Sequence, residues 1–99
     1  MNVVVEVKVK LVGIFRGLSG KSQLLMDLEG SSYMKDVVQR LTELFSPEFR
    51  RTLIDPELGD PRPNALILLN GKDISVLDGL ETQVYDGDEV VLIPVSHGG

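Results

Sequence analysis

The residues of this 99-residue chain best suited to chemistry are the last two, Gly98-Gly99. A glycine pair ahead of a terminal carboxylate has no Cβ atoms, so it can thread a narrow channel and take backbone angles denied to other residues. Ser96 to Gly99, fully extended, reach about 13 Å at about 3.3 Å per residue, enough to leave a domain and enter another protein's pocket. Bulk at position 98 or 99 should block that entry. The carboxylate is a poor electrophile and must be activated before any acyl transfer. An unused, frayed end is the bland alternative, since chain ends are commonly disordered and small.

The rest of the chain offers little competing chemistry. It has no cysteine, which excludes disulfides, thiolate metal sites and a nucleophilic thiol, so any sulfur it handles must be borrowed. His97 is the single histidine; with no second histidine or cysteine to complete a metal site it receives no catalytic or ligating role. Gly20-Lys21-Ser22 matches the end of a phosphate-binding loop, but Phe15 stands where the earlier glycine belongs and a strand follows instead of a helix. No nucleophile, base and oxyanion donors cluster in a recognisable motif, so an enzyme is not expected. The net charge of −5 repels phosphate backbones, and Arg50-Arg51 is the only basic pair, which fits a solvated loop and argues against nucleic-acid binding. The opening Met1 to Lys10 interrupts its valines with charges, unlike a secretory or membrane-spanning segment, so the cytoplasm is the expected location.

The elements that must position the end are legible from periodicity. Val3, Val5, Val7, Val9 and Leu11 alternate with polar residues, as in a strand with one buried face. Ser22 to Leu28 resumes strand character, so Gly13 to Gly20 is expected to be the long loop of a hairpin. Ser31 or Ser32 is the expected cap of a helix whose Met34, Val37, Val38, Leu41, Leu44 and Phe45 form one apolar stripe. Pro47 ends it, and residues 47 to 64, with four prolines, read as a surface loop with one short turn near Phe49 to Ile54. Ala65 to Leu69 is an apolar run suited to a central strand covered on both faces, closed by an Asn70-Gly71 turn. A short strand at Lys72 to Ile74, an irregular or one-turn stretch over Ser75 to Tyr85, a turn at Asp86-Gly87-Asp88-Glu89 and a last strand from Val90 to Val95 complete the order. This order is α+β: one main helix on a mixed sheet of four to five strands, with the last strand central if it pairs parallel with the first. That is the β-grasp arrangement, with a domain over 1–95 and a flexible tail over 96–99.

The C-terminal third carries a resemblance. Leu69-Asn70-Gly71-Lys72, Leu77-Asp78-Gly79-Leu80, Asp86-Gly87-Asp88-Glu89-Val90 and Pro94-Val95-Ser96-His97-Gly98-Gly99, in that order, resemble the molybdopterin-synthase small subunit and ubiquitin-related modifier families of β-grasp (ubiquitin-like) sulfur carriers. Pro94 before a short tail is similar to the first branch, His97-Gly98-Gly99 to the second, and Arg62-Pro63 fits either. The 47–64 segment is longer than in the shortest members, which leaves open the large subunit with which the chain docks.

The resemblance implies Gly98-Gly99 as the activated terminus and Asp86-Gly87-Asp88 as the turn that feeds the last strand. It implies adenylation of Gly99 by a separate ubiquitin-activating-like enzyme that uses ATP, with no cofactor held by the chain itself, and conversion to a thiocarboxylate. The sulfur would serve molybdopterin (molybdenum cofactor) synthesis, with the molybdopterin-synthase large subunit as a partner. The alternative is a protein modifier joined through Gly99 to lysines of target proteins, or acting in tRNA thiolation; a further one is a non-covalent interaction domain. Strand alternation puts Val91 and Ile93 on the face opposite Val90 and Leu92; with either Leu66 and Leu68 or their neighbours on the central strand, and with His97, they form the expected partner surface. A homodimer contact or a cover by the 47–64 loop would serve that face equally well.

Overall fold

Alternation along the first segment is what the fold is built on. In the computed structural model, which describes residues 4–95, Val5, Val7, Val9 and Leu11 of strand β1 (Val4–Leu11) are buried while Val4 and Glu6 face outward. Strand β2 (Gln23–Glu29) pairs antiparallel with it from Val4↔Glu29 to Lys10↔Gln23. Between them lies a difference from expectation. Residues 13–20 are not an open loop but contain helix α1 (Ile14–Ser19), closed by Gly20 in the left-handed region at φ 73°, whose N–H donates to Arg16 O at 2.9 Å. Phe15, fully buried, holds this helix in place. Six residues are too few to show a helical period, so the signal was a single aromatic side chain.

Strand β3 (Ser32–Tyr33) pairs with a later short strand, and this moves the start of the main helix. Neither Ser31 nor Ser32 caps helix α2 (Met34–Leu44). The Ser32 backbone is used for strand pairing and its hydroxyl donates to Gly30 O, while Asp36 in the first turn accepts the Tyr33 N–H at 2.8 Å. Met34, Val37, Val38 and Leu41 are buried as the stripe requires, but Leu44, at the helix end, is exposed. The 47–64 segment also departs from a plain loop. Pro47 occupies the first turn of helix α3 (Pro47–Leu53), where its missing N–H is harmless, and Ser46 Oγ accepts the Phe49 N–H at 3.2 Å. Phe49 and Leu53 are fully buried, with the Phe49 ring 5.8 Å from that of Phe15 and 4.9 Å from that of Phe45.

Strand β4 (Ala65–Leu69) buries Ala65, Ile67 and Leu69 but leaves Leu66 exposed and Leu68 half-buried, so it is covered on one face and not on both. The Asn70-Gly71 turn has positive φ at both residues, 49° and 85°, as a tight hairpin into β5 (Lys72–Asp73) requires. Two single 3-10 turns, Ile74–Val76 and Gly79–Glu81, precede β6 (Gln83–Val84), the partner of β3. The last strand, β7 (Glu89–Pro94), lies in the middle of a five-stranded sheet of order β2-β1-β7-β4-β5. It runs parallel to β1, from Lys8↔Glu89 to Leu11↔Leu92, and antiparallel to β4. This is the mixed α+β sheet with a parallel central pair that the element order anticipates. Among the described residues no helix is long and apolar enough to cross a membrane.

Candidate functional site at the exit of the last strand

The site begins at the turn that feeds β7. Asp86 Oδ1 accepts the Glu6 N–H, and Gly87, at φ 88°, donates its N–H to Glu6 O, each at 2.8 Å. Asp88 uses both carboxylate oxygens: Oδ2 accepts the Tyr85 N–H at 2.8 Å and Oδ1 accepts from Asn70 Nδ2 at 2.9 Å. Asn70 Oδ1 in turn accepts the Glu89 N–H at 2.9 Å. The Asp86-Gly87-Asp88 scaffold read from sequence is therefore present, with Asn70 as a member that sequence reasoning saw only as a turn residue. Eighteen positions separate Asn70 from Asp88, and no local pattern connects them.

The other end of β7 is clamped from both sides. Val12 N–H donates to Leu92 O at 3.2 Å, and Val95 N–H donates to Asn64 O at 3.0 Å. Asn64 is itself held, its Nδ2 donating to Leu53 O at 3.3 Å. Gly13 lies so close to Pro94 that a Cβ at position 13 would sit 2.9 Å from Pro94 Cγ. Its φ of 60° and ψ of −129° belong to a region that glycine alone takes without strain. The chain thus leaves the domain from a fixed point. Ser96, His97, Gly98 and Gly99 lie outside the described residues, and with them the activated terminus and the His97 contact expected from sequence.

The expected partner surface is brought together on one face. Leu66 stands opposite Ile93 and Leu68 opposite Val91, while Val90 and Leu92 are fully buried on the other side. Helix α3, from the 47–64 segment, packs its Phe49 against Phe15 and Phe45 in the core and leaves Leu66 exposed and Leu68, Val91 and Ile93 half-buried. Lys10, opposite Val91, borders the patch and reaches Glu89 at 3.4 Å. A cleft of about 170 Å³, lined among others by Arg62, Leu66, Asp73 and Val95, opens beside the exit. The Arg62 guanidinium is bound through Nε and Nη2 to the Asp60 carboxylate, which its hydrogen bonds hold below the ordinary carboxylate range. Lys35, on the opposite face, is raised by its hydrogen bonds to Glu81 at 3.0 and 3.1 Å. Among the described residues no three metal-ligating side chains gather.

Comparison with known proteins agrees with this geometry. A family model described as Urm1 (Ubiquitin related modifier) matches residues 4–99, so the match runs through the C-terminal glycines. The chain is 27% identical to small archaeal modifier protein 3 of Haloferax volcanii, over 95% of its own length and 99% of that protein's. It is 42% identical to a candidate sulfur carrier protein of Archaeoglobus fulgidus, across 41% of this chain and 47% of that one. The solution structure of small archaeal modifier protein 1 from Methanosarcina acetivorans superposes with a TM-score of 0.77 at 34% identity, covering 97% of this chain and 98% of the other.

Proposed function

The chain belongs to the ubiquitin-related modifier family, and from that premise we propose that it is a carrier rather than an enzyme, working through the carboxylate of Gly99. A separate activating enzyme uses ATP to form the Gly99 acyl adenylate, releasing pyrophosphate. Sulfide then displaces AMP, leaving a thiocarboxylate whose sulfur passes to a biosynthetic acceptor. The chain itself holds no cofactor in this scheme and acts in the cytoplasm. Leu66, Leu68, Val91 and Ile93, with His97, give the activating enzyme and any later subunit a surface to dock on. The observation that carries the reading is the family match through Gly99, joined to a last strand clamped at Pro94 and Val95. Molybdopterin as the sulfur acceptor rests on the resemblance of the C-terminal segment alone.

A second reading shares the same adenylate: a lysine amine attacks in place of sulfide, and Gly99 becomes joined to another protein. Near full-length similarity to an archaeal modifier favours it. Both are tested by incubating the purified chain with ATP, sulfide and extract of its source, then measuring intact mass. A C-terminal peptide heavier by the difference between sulfur and oxygen establishes the carrier. Higher-mass conjugates that vanish on deleting Gly98-Gly99 establish the modifier. An unchanged terminus, in an extract that activates another substrate, overturns both and leaves a domain that binds only through its sheet face.

A further inference from the structure

The basic pair Arg50-Arg51 reads from sequence as part of a solvated loop, and the function proposed above gives it nothing to do. In the structure the pair lies on helix α3, and Arg50 lines a cleft of about 280 Å³ in the helical layer, on the other side of the sheet from Leu66, Leu68, Val91 and Ile93. Lys35, Val38, Gln39 and Thr42, on one flank of α2, form its first wall, and Arg50 and Ile54 form its second. Its third wall is held by hydrogen bonds: Asp55 N–H donates to Asp60 O at 2.9 Å and Gly59 N–H to Asp55 O at 2.8 Å. The cleft is therefore shaped before any ligand arrives.

Size and charge decide what fits. An apolar cavity of about 150 Å³ holds a benzene ring, and sites for small molecules begin at about 300 Å³, so a cleft of this size with exposed rims suits one large side chain rather than a cofactor. The two charged groups that line it, Lys35 and Arg50, are both cations, although the chain carries a net charge of −5. Every carboxylate next in sequence to a lining residue is already engaged. Asp36 accepts the Tyr33 N–H, Glu43 accepts from Gln39, Asp55 accepts the Glu57 and Leu58 N–H groups, Asp60 is bound to Arg62 and Glu81 to Lys35. Of the two lining cations, Arg50 alone has no ion-pair partner among the described residues. An apolar floor beside an unpaired guanidinium is complementary to an apolar side chain followed by a carboxylate.

We propose that this cleft is a docking site for a short acidic segment of a partner protein, with one large apolar side chain seated on Val38, Ile54, Pro61 and Leu80 and the carboxylate that follows it paired with Arg50. The segment leaves the sheet face and the exit of β7 open, and its binding does not depend on chemistry at Gly99.

The test measures binding of the whole chain to immobilised hexapeptides in which one Leu, Met, Phe or Trp is followed, one or two positions on, by Glu, or by Lys in a matched set. The best Glu peptide is expected to bind at least about tenfold tighter than its Lys counterpart, and Arg50→Glu to reverse that order. Mere damage to α3 would not give a reversal. Arg51→Glu, on the same helix but outside the cleft, should change binding no more than about threefold at about 0.15 M salt, where charges beyond about 8 Å are screened. In amide spectra of the wild-type chain the same peptide should shift Val38, Thr42, Ile54 and Gly59 and leave Leu66 and Ile93 in place. Thermal melting checks folding; should Arg50→Glu melt early, Arg50→Gln takes its place, with loss of the preference for Glu expected. No preference for Glu over Lys peptides, an unchanged order in Arg50→Glu, equal loss in Arg51→Glu, or shifts confined to Leu66 and Ile93 overturns the docking site. Displacement of the peptide by acetate alone at equal concentration overturns it in favour of a simple anion site. Each of these results leaves the proposed function standing.

Discussion

At the scale of residues, the exit of the tail depends on small local matches. Gly13 accepts the close approach of Pro94, and Asn64 ties Val95 to the end of α3. The neighbouring Asp60–Arg62 pair gives this corner a pH dependence. Arg62 holds the folded-state pKa of Asp60 below the ordinary carboxylate range, chiefly by side-chain hydrogen bonding and against a smaller cost of burial. A depressed carboxylate stabilises the fold above its unfolded pKa and loses that contribution as pH falls through the folded one. Arg62→Met is therefore expected to cost up to about 1 kcal/mol at neutral pH, a solvent-screened value because the arginine is half exposed. The gap from wild type should close on acidification below about pH 4, as read from urea unfolding at each pH. The Asp86-Gly87-Asp88 turn was legible because glycine and aspartate favour such conformations locally. The Asn70 bridge to Asp88 was not, because it joins residues that only the folded sheet brings together.

Among elements, the long and periodic ones were readable and the short ones were not. The alternation of β1 and the stripe of α2 each span enough residues to declare a period. Helices α1 and α3 have six and seven residues, and their evidence in the sequence is a few buried side chains among prolines and charges. Pro47 stops α2 from continuing, yet the same restricted backbone also opens α3, a double use that a loop reading conceals. Phe49 is the residue that attaches α3 to the core, through its contacts with Phe15 and Phe45. Phe49→Ala is expected to cost about 3–5 kcal/mol by cavity formation and lost packing. Phe49→Leu should be markedly milder, with denaturant midpoints providing the comparison.

For the molecule as a whole, element order led to the right architecture because a hairpin, one crossing helix and a final strand have few compact solutions. The register between β4 and β7 could not be read from the chain, but strand alternation assigned their faces. Val90→Asp, placing a charge at a fully buried site, is expected to abolish cooperative folding, while Val91→Asp on the open face should melt near wild type. Equal damage from the two would reverse the assignment of faces. The parallel pairing of β1 with β7 has a mechanical side as well. The two strands run in the same direction, so Val4, where β1 starts, and Pro94, where β7 ends, lie beyond opposite ends of the ladder from Lys8↔Glu89 to Leu11↔Leu92. A pull between the start of the chain and its tail acts along the strands, and their hydrogen bonds bear the load together instead of opening one at a time as in a peeled hairpin. A pull on the tail against a held start of the chain thus loads this central pair in shear.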